Sequence, residues 1–149
     1  MRAVVQRVTK SSVTVEGRVT GQIGKGLMVL IGVEEGDTEK DAEYIAKKVS
    51  ALRVFDDEEG VMNLSVQDVD GEILAVSQFT LLGDVRKGNR PSYFTAARPE
   101  AADNLYRKVI EQIEARDIHV EEGVFQAEML VSIDNDGPVT ILLESHKLF

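Results

Sequence analysis

The sequence predicts an α+β fold in which a largely antiparallel, barrel-like β-sheet carries two amphipathic helices. Three observations predict it. Several short apolar runs have period two, two longer stretches have helical spacing, and the strands do not alternate regularly with the helices as they would in a doubly wound sheet. The 149 residues fit one domain, 1–149, and a chain of that size buries roughly 68–70 % of its unfolded surface.

The first strands are explicit. Val4, Gln6 and Val8 alternate with Ala3, Val5 and Arg7, and β-branched residues continue from Ser12 to Val15 into the turn signal Glu16-Gly17, which together read as a hairpin. Arg7 falls on the more apolar Ala3/Val5 face, so its guanidinium needs backbone carbonyls or a carboxylate as partners. Gly26 to Val33 is a continuous apolar run between glycines, the mark of a strand buried on both faces. Asp37-Thr38 then offers an N-cap, with Asp41 three residues after Thr38, and Ala42, Ile45, Ala46, Val49 and Leu52 fall at helical spacing. A short strand is expected over Leu52 to Phe55. Asp56 to Gly60 is a solvated acidic turn, without the alternating ligands of a calcium loop.

The second half is organised around two unusual stretches. Ile73 to Leu81 reads as a strand that turns polar at Ser77-Gln78, a change that serves either to line a pocket or to end a strand. The sixteen residues from Gly83 to Arg98 lack periodicity, and a loop this long in a compact domain is functional or disordered; Tyr93-Phe94 argue for order. Pro99-Glu100 opens a second helix with Ala102, Leu105, Tyr106, Val109 and Ile113 on one face. Finally, Met129, Val131 and Ile133 alternate before Asn135-Asp136-Gly137-Pro138-Val139-Thr140, and Val139, Ile141 and Leu143 alternate after it. The pattern reads as two strands joined by a tight turn in which Gly137 and Pro138 form a rigid, side-chain-poor ridge. No internal repeat, low-complexity tract or linker is present.

Composition narrows the classes of function. The absence of cysteine excludes disulfides and thiolate metal sites and suits a reducing compartment. Neither a signal peptide nor a membrane span is legible from Met1 to Arg7, so a soluble, cytoplasmic protein without membrane partners is expected. A net charge of −9 argues against nonspecific coating of nucleic acid. Between Gly83 and Pro99, however, Arg86, Lys87, Arg90 and Arg98 stand against Asp84 alone, a local net of +3 that would focus an anionic ligand on one place.

Familiar catalytic sets are thin. The only histidines are His119 and His146, with no zinc-binding spacing, no cysteine pair and no phosphate-binding glycine loop. No metal or cofactor is expected. An enzyme built from this chain works through binding geometry, backbone donors and groups of the substrate itself.

Ser77-Gln78-Phe79-Thr80-Leu81 followed by Asn135-Asp136-Gly137-Pro138-Val139-Thr140 resembles the paired signature of the D-aminoacyl-tRNA deacylases. Met1 to Val8, Gly26 to Val33, Leu52 to Phe55, Lys87 to Ser92 and Gly123 to Met129 are also similar to that family, so the resemblance spans essentially the whole chain. One departure is Gln126, where a small residue is expected after Phe125. The resemblance implies hydrolysis of the ester between a D-amino acid and the terminal adenosine of tRNA, sparing the L-aminoacyl ester. It also implies a homodimer in which a cis Gly137-Pro138 bond reaches into the partner's pocket.

On that reading Ser77, Gln78, Phe79, Thr80 and Thr140 form the catalytic set. The N–H of Phe79 or Thr80 faces the oxyanion, Ser77 and Gln78 orient the ester, and water attacks with help from the ribose 2′-hydroxyl. Thr140 has no visible base beside it and is expected to position rather than attack. Gly137, Pro138, Arg7, Phe125, Met129 and Asn135 form the substrate-binding set, Arg7 bracing the ridge. Phe79 and Phe125 are expected in core packing before any role in stacking on the purine. Arg86, Lys87, Arg90 and Arg98 are candidate contacts to tRNA phosphates. Three other readings compete: a noncatalytic nucleic-acid-binding module using the basic 86–98 loop, an esterase or amidase with Thr140 as nucleophile, and a purely structural dimer.

Overall fold

The computed structural model describes residues 1–149. Its long first strand, β1 (Arg2–Val15), turns at Glu16-Gly17 into β2 (Arg18–Ile23). Both turn residues have positive φ, 50° and 77°, the geometry that matches a tight hairpin to the strand twist. The N-terminal half of β1 also pairs antiparallel with β3 (Gly26–Gly32), and the whole length of its other edge pairs antiparallel with β8 (Leu130–Glu144). Two parallel ladders extend the sheet, from β3 to β6 (Glu72–Ser77) and from β6 to β7 (Val120–Glu122).

The resulting order is β2-β1-β3-β6-β7, with β8 along β1. The sheet is mostly antiparallel and nearly closed. At Gly21 a Cβ would lie 2.4 Å from the Glu122 carbonyl oxygen, so the absent side chain lets β2 meet the far edge at β7.

Helices α1 (Glu39–Ala51) and α2 (Pro99–Glu114) supply the two parallel crossovers. The expected capping box closes the start of α1: Thr38 accepts from the Lys40 N–H, and the Asp41 carboxylate accepts from the Thr38 N–H at 2.8 Å. Ala42, Ile45, Ala46 and Val49 of α1 and Tyr106, Val109 and Ile113 of α2 are buried with Val5, Leu27, Val29, Ile31 and Ile73 of the sheet. Each large apolar side chain so buried contributes about 1.5–3 kcal/mol. The Tyr106 hydroxyl donates to the Ala75 carbonyl at 2.9 Å, which allows a polar tip in that layer. Val8, Val13, Ile23, Met28, Leu74 and Val76 form a second, smaller core. Strand β3 faces both cores, as its unbroken apolar run required.

Three local expectations are corrected. The strand from Ile73 stops at Ser77, and Phe79–Leu82 form a 3-10 turn. The expected strand over Leu52 to Phe55 shifts to β4 (Phe55–Asp56), which pairs with β5 (Met62–Leu64), because the Leu52 N–H still bonds Lys48 at the end of α1. Most consequentially, Asn135–Thr140 is not a hairpin turn. Apart from Met129, both apolar runs lie on one continuous strand, β8, paired to β1 on either side of the motif: Val8 opposes Asn135 and Gln6 opposes Thr140. Four residues, Asp136 to Val139, therefore bulge opposite Arg7. Period-two patterning cannot distinguish a bulge from a turn, since both interrupt the alternation.

The end of β8 closes onto the beginning of β1. Met1 is fully buried, and its α-ammonium donates to Asp37 at 2.9 Å and to the Ser145 hydroxyl at 2.8 Å. Burial pushes the Glu144 carboxyl upward, but hydrogen bonds from Leu148 and His146 and the nearby ammonium outweigh it and hold the group below its usual range. A carboxyl lowered in the folded state contributes stability above its unfolded value, about 4.3 for Glu, and loses that contribution as pH falls through the folded value. Glu144→Gln should therefore unfold at lower denaturant than wild type at neutral pH. The gap should narrow at about pH 3, as read from urea titrations at both pH values.

Candidate functional site

An open, mostly apolar cavity of about 620 Å³ lies where β6 ends, α2 begins and the chain approaches β8. Its rim is set by backbone ties. The Gln78 N–H donates to the Ile31 carbonyl at 2.8 Å, and the strand then leaves the sheet into the 3-10 turn. Across the opening, the Glu35 N–H donates to Thr95 and the Ala97 N–H donates to Val33, at 2.8 and 2.9 Å. Ser77, Gln78 and Phe79 line this cavity together with Tyr93, Phe125 and Met129.

The 3-10 turn gives the rim its polarity. Phe79 and Thr80 are its first residues, and the first N–H groups of a helical turn have no partner within it. The Gln78 side-chain amide donates to the Thr80 hydroxyl, fixing both. Phe79 departs from the core-packing expectation: it is 56 % exposed and meets Tyr93 edge-on, with ring centroids 5.1 Å apart. Phe125 is half-buried and stacks on Tyr106 at 6.3 Å, close to the expected core role. The Met129 sulfur accepts from the Val124 N–H at 3.4 Å. Gln126, the departure noted in the sequence, lines the cavity with a φ of 64°, a conformation that favours a residue without a bulky side chain.

No carboxylate, imidazole or amine lines the cavity. His119 faces Glu121 at 2.6 Å and His146 faces Glu144 at 3.0 Å, both elsewhere.

The other residues expected on the substrate side sit apart. The Gly137-Pro138 bond is cis, and neither residue lines the cavity of its own chain. Arg7, 9 % exposed, donates from Nε to the Asp136 carbonyl at 3.0 Å and from Nη1 to the Val54 carbonyl at 2.7 Å. Asp136 and Asp56 carboxylates lie at 3.5 and 3.6 Å. A Cβ at Gly137 would lie 2.9 Å from the Arg7 guanidinium, and its φ of 122° is one L side chains rarely adopt. Asn135 and Thr140 are exposed at the two ends of the bulge. The structure thus gathers Ser77, Gln78, Phe79, Phe125 and Met129 at one place, and Arg7, Asn135, Gly137, Pro138 and Thr140 at another.

The basic loop is ordered by a bridge between Asp84 and Ser92 and one between Glu34 and Ala96. Arg86 is committed locally, donating to Asp84 through Nε and Nη2 at 2.9 and 2.7 Å; this pairing holds the Asp84 carboxyl well below its usual range. Lys87, Arg90 and Arg98 are exposed and make no salt bridge. Sequence reasoning missed Ala96, Ala97 and Ala102 as cavity walls. Their signal was present as a run of small residues, but small residues alone do not report a concave surface.

The ridge geometry predicts its own dependence on Arg7. Lysine has one ammonium where arginine has a planar fork, so it cannot hold the Asp136 and Val54 carbonyls together. Arg7→Lys should lower unfolding free energy by about 1.5–3 kcal/mol, the worth of a hydrogen bond to a charged group, measured by urea denaturation.

Comparison with known proteins bears on the family and the fold. A family model described as D-Tyr-tRNA(Tyr) deacylase matches residues 4–144. Proteins named D-aminoacyl-tRNA deacylase from Desulfitobacterium hafniense and Koribacter versatilis are each 60 % identical over 149 residues, covering all of both chains. A solved structure described as c-Myc DNA Unwinding Element Binding Protein superposes with a TM-score of 0.91 at 47 % identity, over 97 % of this chain and 98 % of that one. A probable eukaryotic D-amino acid tRNA deacylase shares the fold, with a TM-score of 0.79 at 17 % identity over 95 % and 97 % of the two chains. The chain belongs to the D-Tyr-tRNA(Tyr) deacylase family.

Proposed function

We propose that this protein hydrolyses the ester joining a D-amino acid to the 3′-terminal adenosine of tRNA and spares the L-aminoacyl ester. Family membership and the relatives' names support the deacylase activity. The observation that carries the mechanism is a cavity lined by Ser77, Gln78 and Phe79, where the strand gives way to a 3-10 turn, with no side-chain acid or base in its lining. Such a site favours chemistry in which protein dipoles receive developing charge and the substrate supplies the proton relay.

In the proposed reaction, water attacks the ester carbonyl carbon while the adenosine 2′-hydroxyl assists removal of its proton. The carbonyl oxygen becomes an oxyanion facing the N–H groups of Phe79 and Thr80. Ser77 and the Gln78 amide orient the ester. Collapse of the tetrahedral species breaks the bond to the ribose 3′-oxygen, which takes up the proton, releasing tRNA and the free D-amino acid. The step uses neither metal nor cofactor.

Chiral selection falls to the Gly137-Pro138 ridge of a second copy. Within one chain the ridge does not line the cavity, which favours a homodimer in which each ridge serves the partner's site. Backbone carbonyls there would accept from the substrate α-ammonium and leave no space on the L side. A thousandfold rejection takes about 4 kcal/mol, and a ridge fixed by proline and a buried arginine resists displacement better than a mobile side chain. Asn135 frames the ridge and Thr140 positions it. Lys87, Arg90 and Arg98 suit tRNA phosphates, with Arg86 reserved by Asp84. The expected place of work is the cytoplasm, where charged tRNA is found; no helix here is long and apolar enough to cross a membrane.

A second reading, a noncatalytic nucleic-acid-binding module, draws on the name of the 47 %-identical structural neighbour. The net charge of −9 weighs against a general affinity for duplex phosphates.

Matched D- and L-tyrosyl-tRNA, incubated with wild type and Thr140→Ala in EDTA, decide between these readings. Both proteins should release D-tyrosine and leave the L ester intact. An acyl-enzyme lost in Thr140→Ala would make Thr140 the nucleophile, and no D-specific hydrolysis by wild type would favour the binding module. Pro138→Ala should keep D activity but lower the D-to-L rate ratio by at least about tenfold, or about 1.4 kcal/mol of rejection, in the same assay.

A further inference from the structure

Phe94 is 92 % exposed, the most exposed large apolar side chain of the protein. It is not on a frayed segment. The Ala96 N–H donates to the Tyr93 carbonyl at 3.1 Å, and the Thr95 carbonyl and Ala97 N–H are tied to Glu35 and Val33. The Ser92 and Asp84 backbones exchange hydrogen bonds at 2.8 and 2.9 Å just before it. The preceding residue, Tyr93, lines the cavity and packs edge-on against Phe79. A rigid turn thus presents one aromatic ring to solvent at the cavity rim, on the same loop as the unpaired cations Lys87, Arg90 and Arg98.

We propose that Phe94 is a stacking platform for the nucleotide immediately before the terminal adenosine of the substrate RNA, an inference that rests on the deacylase reading above. With the terminal ester in the cavity, the strand must leave across the rim. A single-stranded RNA end offers an unstacked base face and a phosphate at each step, and aromatic rings interleaved with cations are the surface that binds it. Charge complementarity selects this occupant: the local +3 of residues 83–99 contrasts with −9 overall. Tyr93 and Phe79, by contrast, face the esterified nucleotide.

The test compares two substrates, D-tyrosyl-tRNA and the minimal ester D-tyrosyl-adenosine, which lacks the preceding nucleotide. Phe94→Ala should lose about 5- to 150-fold in kcat/KM on the tRNA, the range that base–aromatic stacking supplies, and nothing on the minimal ester. Phe94→Trp should retain activity on both. Equal loss on the two esters, or undiminished activity of Phe94→Ala on tRNA, overturns the platform while leaving the deacylase reading intact. A fall in sedimentation mass of Phe94→Ala also overturns it, by assigning the ring to a subunit interface. Wild type inactive on both esters removes the deacylase reading and the platform with it.

Discussion

The grip of Arg7 on the β8 bulge is the interaction on which the arrangement depends. Four residues of β8 face one residue of β1, and an interruption of that size would ordinarily leave backbone groups without ladder partners. The guanidinium occupies the gap. It is nearly buried, and it bonds Asp136 of the bulge and Val54 beyond the end of α1 at once. A buried charge is costly unless it is fully hydrogen-bonded. Here the partners are carbonyls and two partly exposed carboxylates, so the charge that orders the ridge is itself satisfied by it.

That grip separates the two halves of the proposed site. The cavity is made where strands end and leave the sheet, from a 3-10 turn, the start of α2 and the segment before β8. The ridge is made where a strand refuses to end, along β1. A chain folded this way holds the cavity and the Gly137-Pro138 ridge on different surfaces. On the proposed reading, association of two copies completes two sites together, and neither surface alone both binds and discriminates.

Much of this was legible in the residues. The capping box at Thr38 and Asp41, the doubly buried β3, the hairpin at Glu16-Gly17 and the second helix from Pro99 follow from local rules of capping, periodicity and turn chemistry, and the structure has them. Arg7 was legible for a different reason, since a guanidinium on an apolar face demands partners whatever the fold. Two of the errors share one cause. Ser77-Gln78 and Asn135–Thr140 interrupt a period-two pattern, and an interruption alone does not say whether the chain leaves the sheet or bulges within it. That choice is made by the neighbour: β3 ends at Gly32, one residue past the Ile31 that pairs with Ser77, so β6 departs, whereas β1 runs on past the ridge and keeps β8 paired. The cavity walls at Ala96, Ala97 and Ala102 were illegible because a concave surface is defined by what several elements leave empty.

In a chain of net −9, a polyanion is repelled from most of the surface, so even a few unpaired cations determine where it approaches. Asp84 removes Arg86 from that set, leaving Lys87, Arg90 and Arg98 on the loop that also carries Tyr93 of the cavity lining. Because exposed charges act only over about 10 Å at ordinary ionic strength, they can orient an RNA end but not specify its last nucleotides. Short-range contacts must do that. Phe79, Tyr93 and Phe94 are the exposed aromatic rings at the cavity rim, and stacking is sequence-tolerant. On the proposed function, this combination suits an enzyme that must accept the common end of many tRNAs and keep its discrimination for the handedness of one carbon.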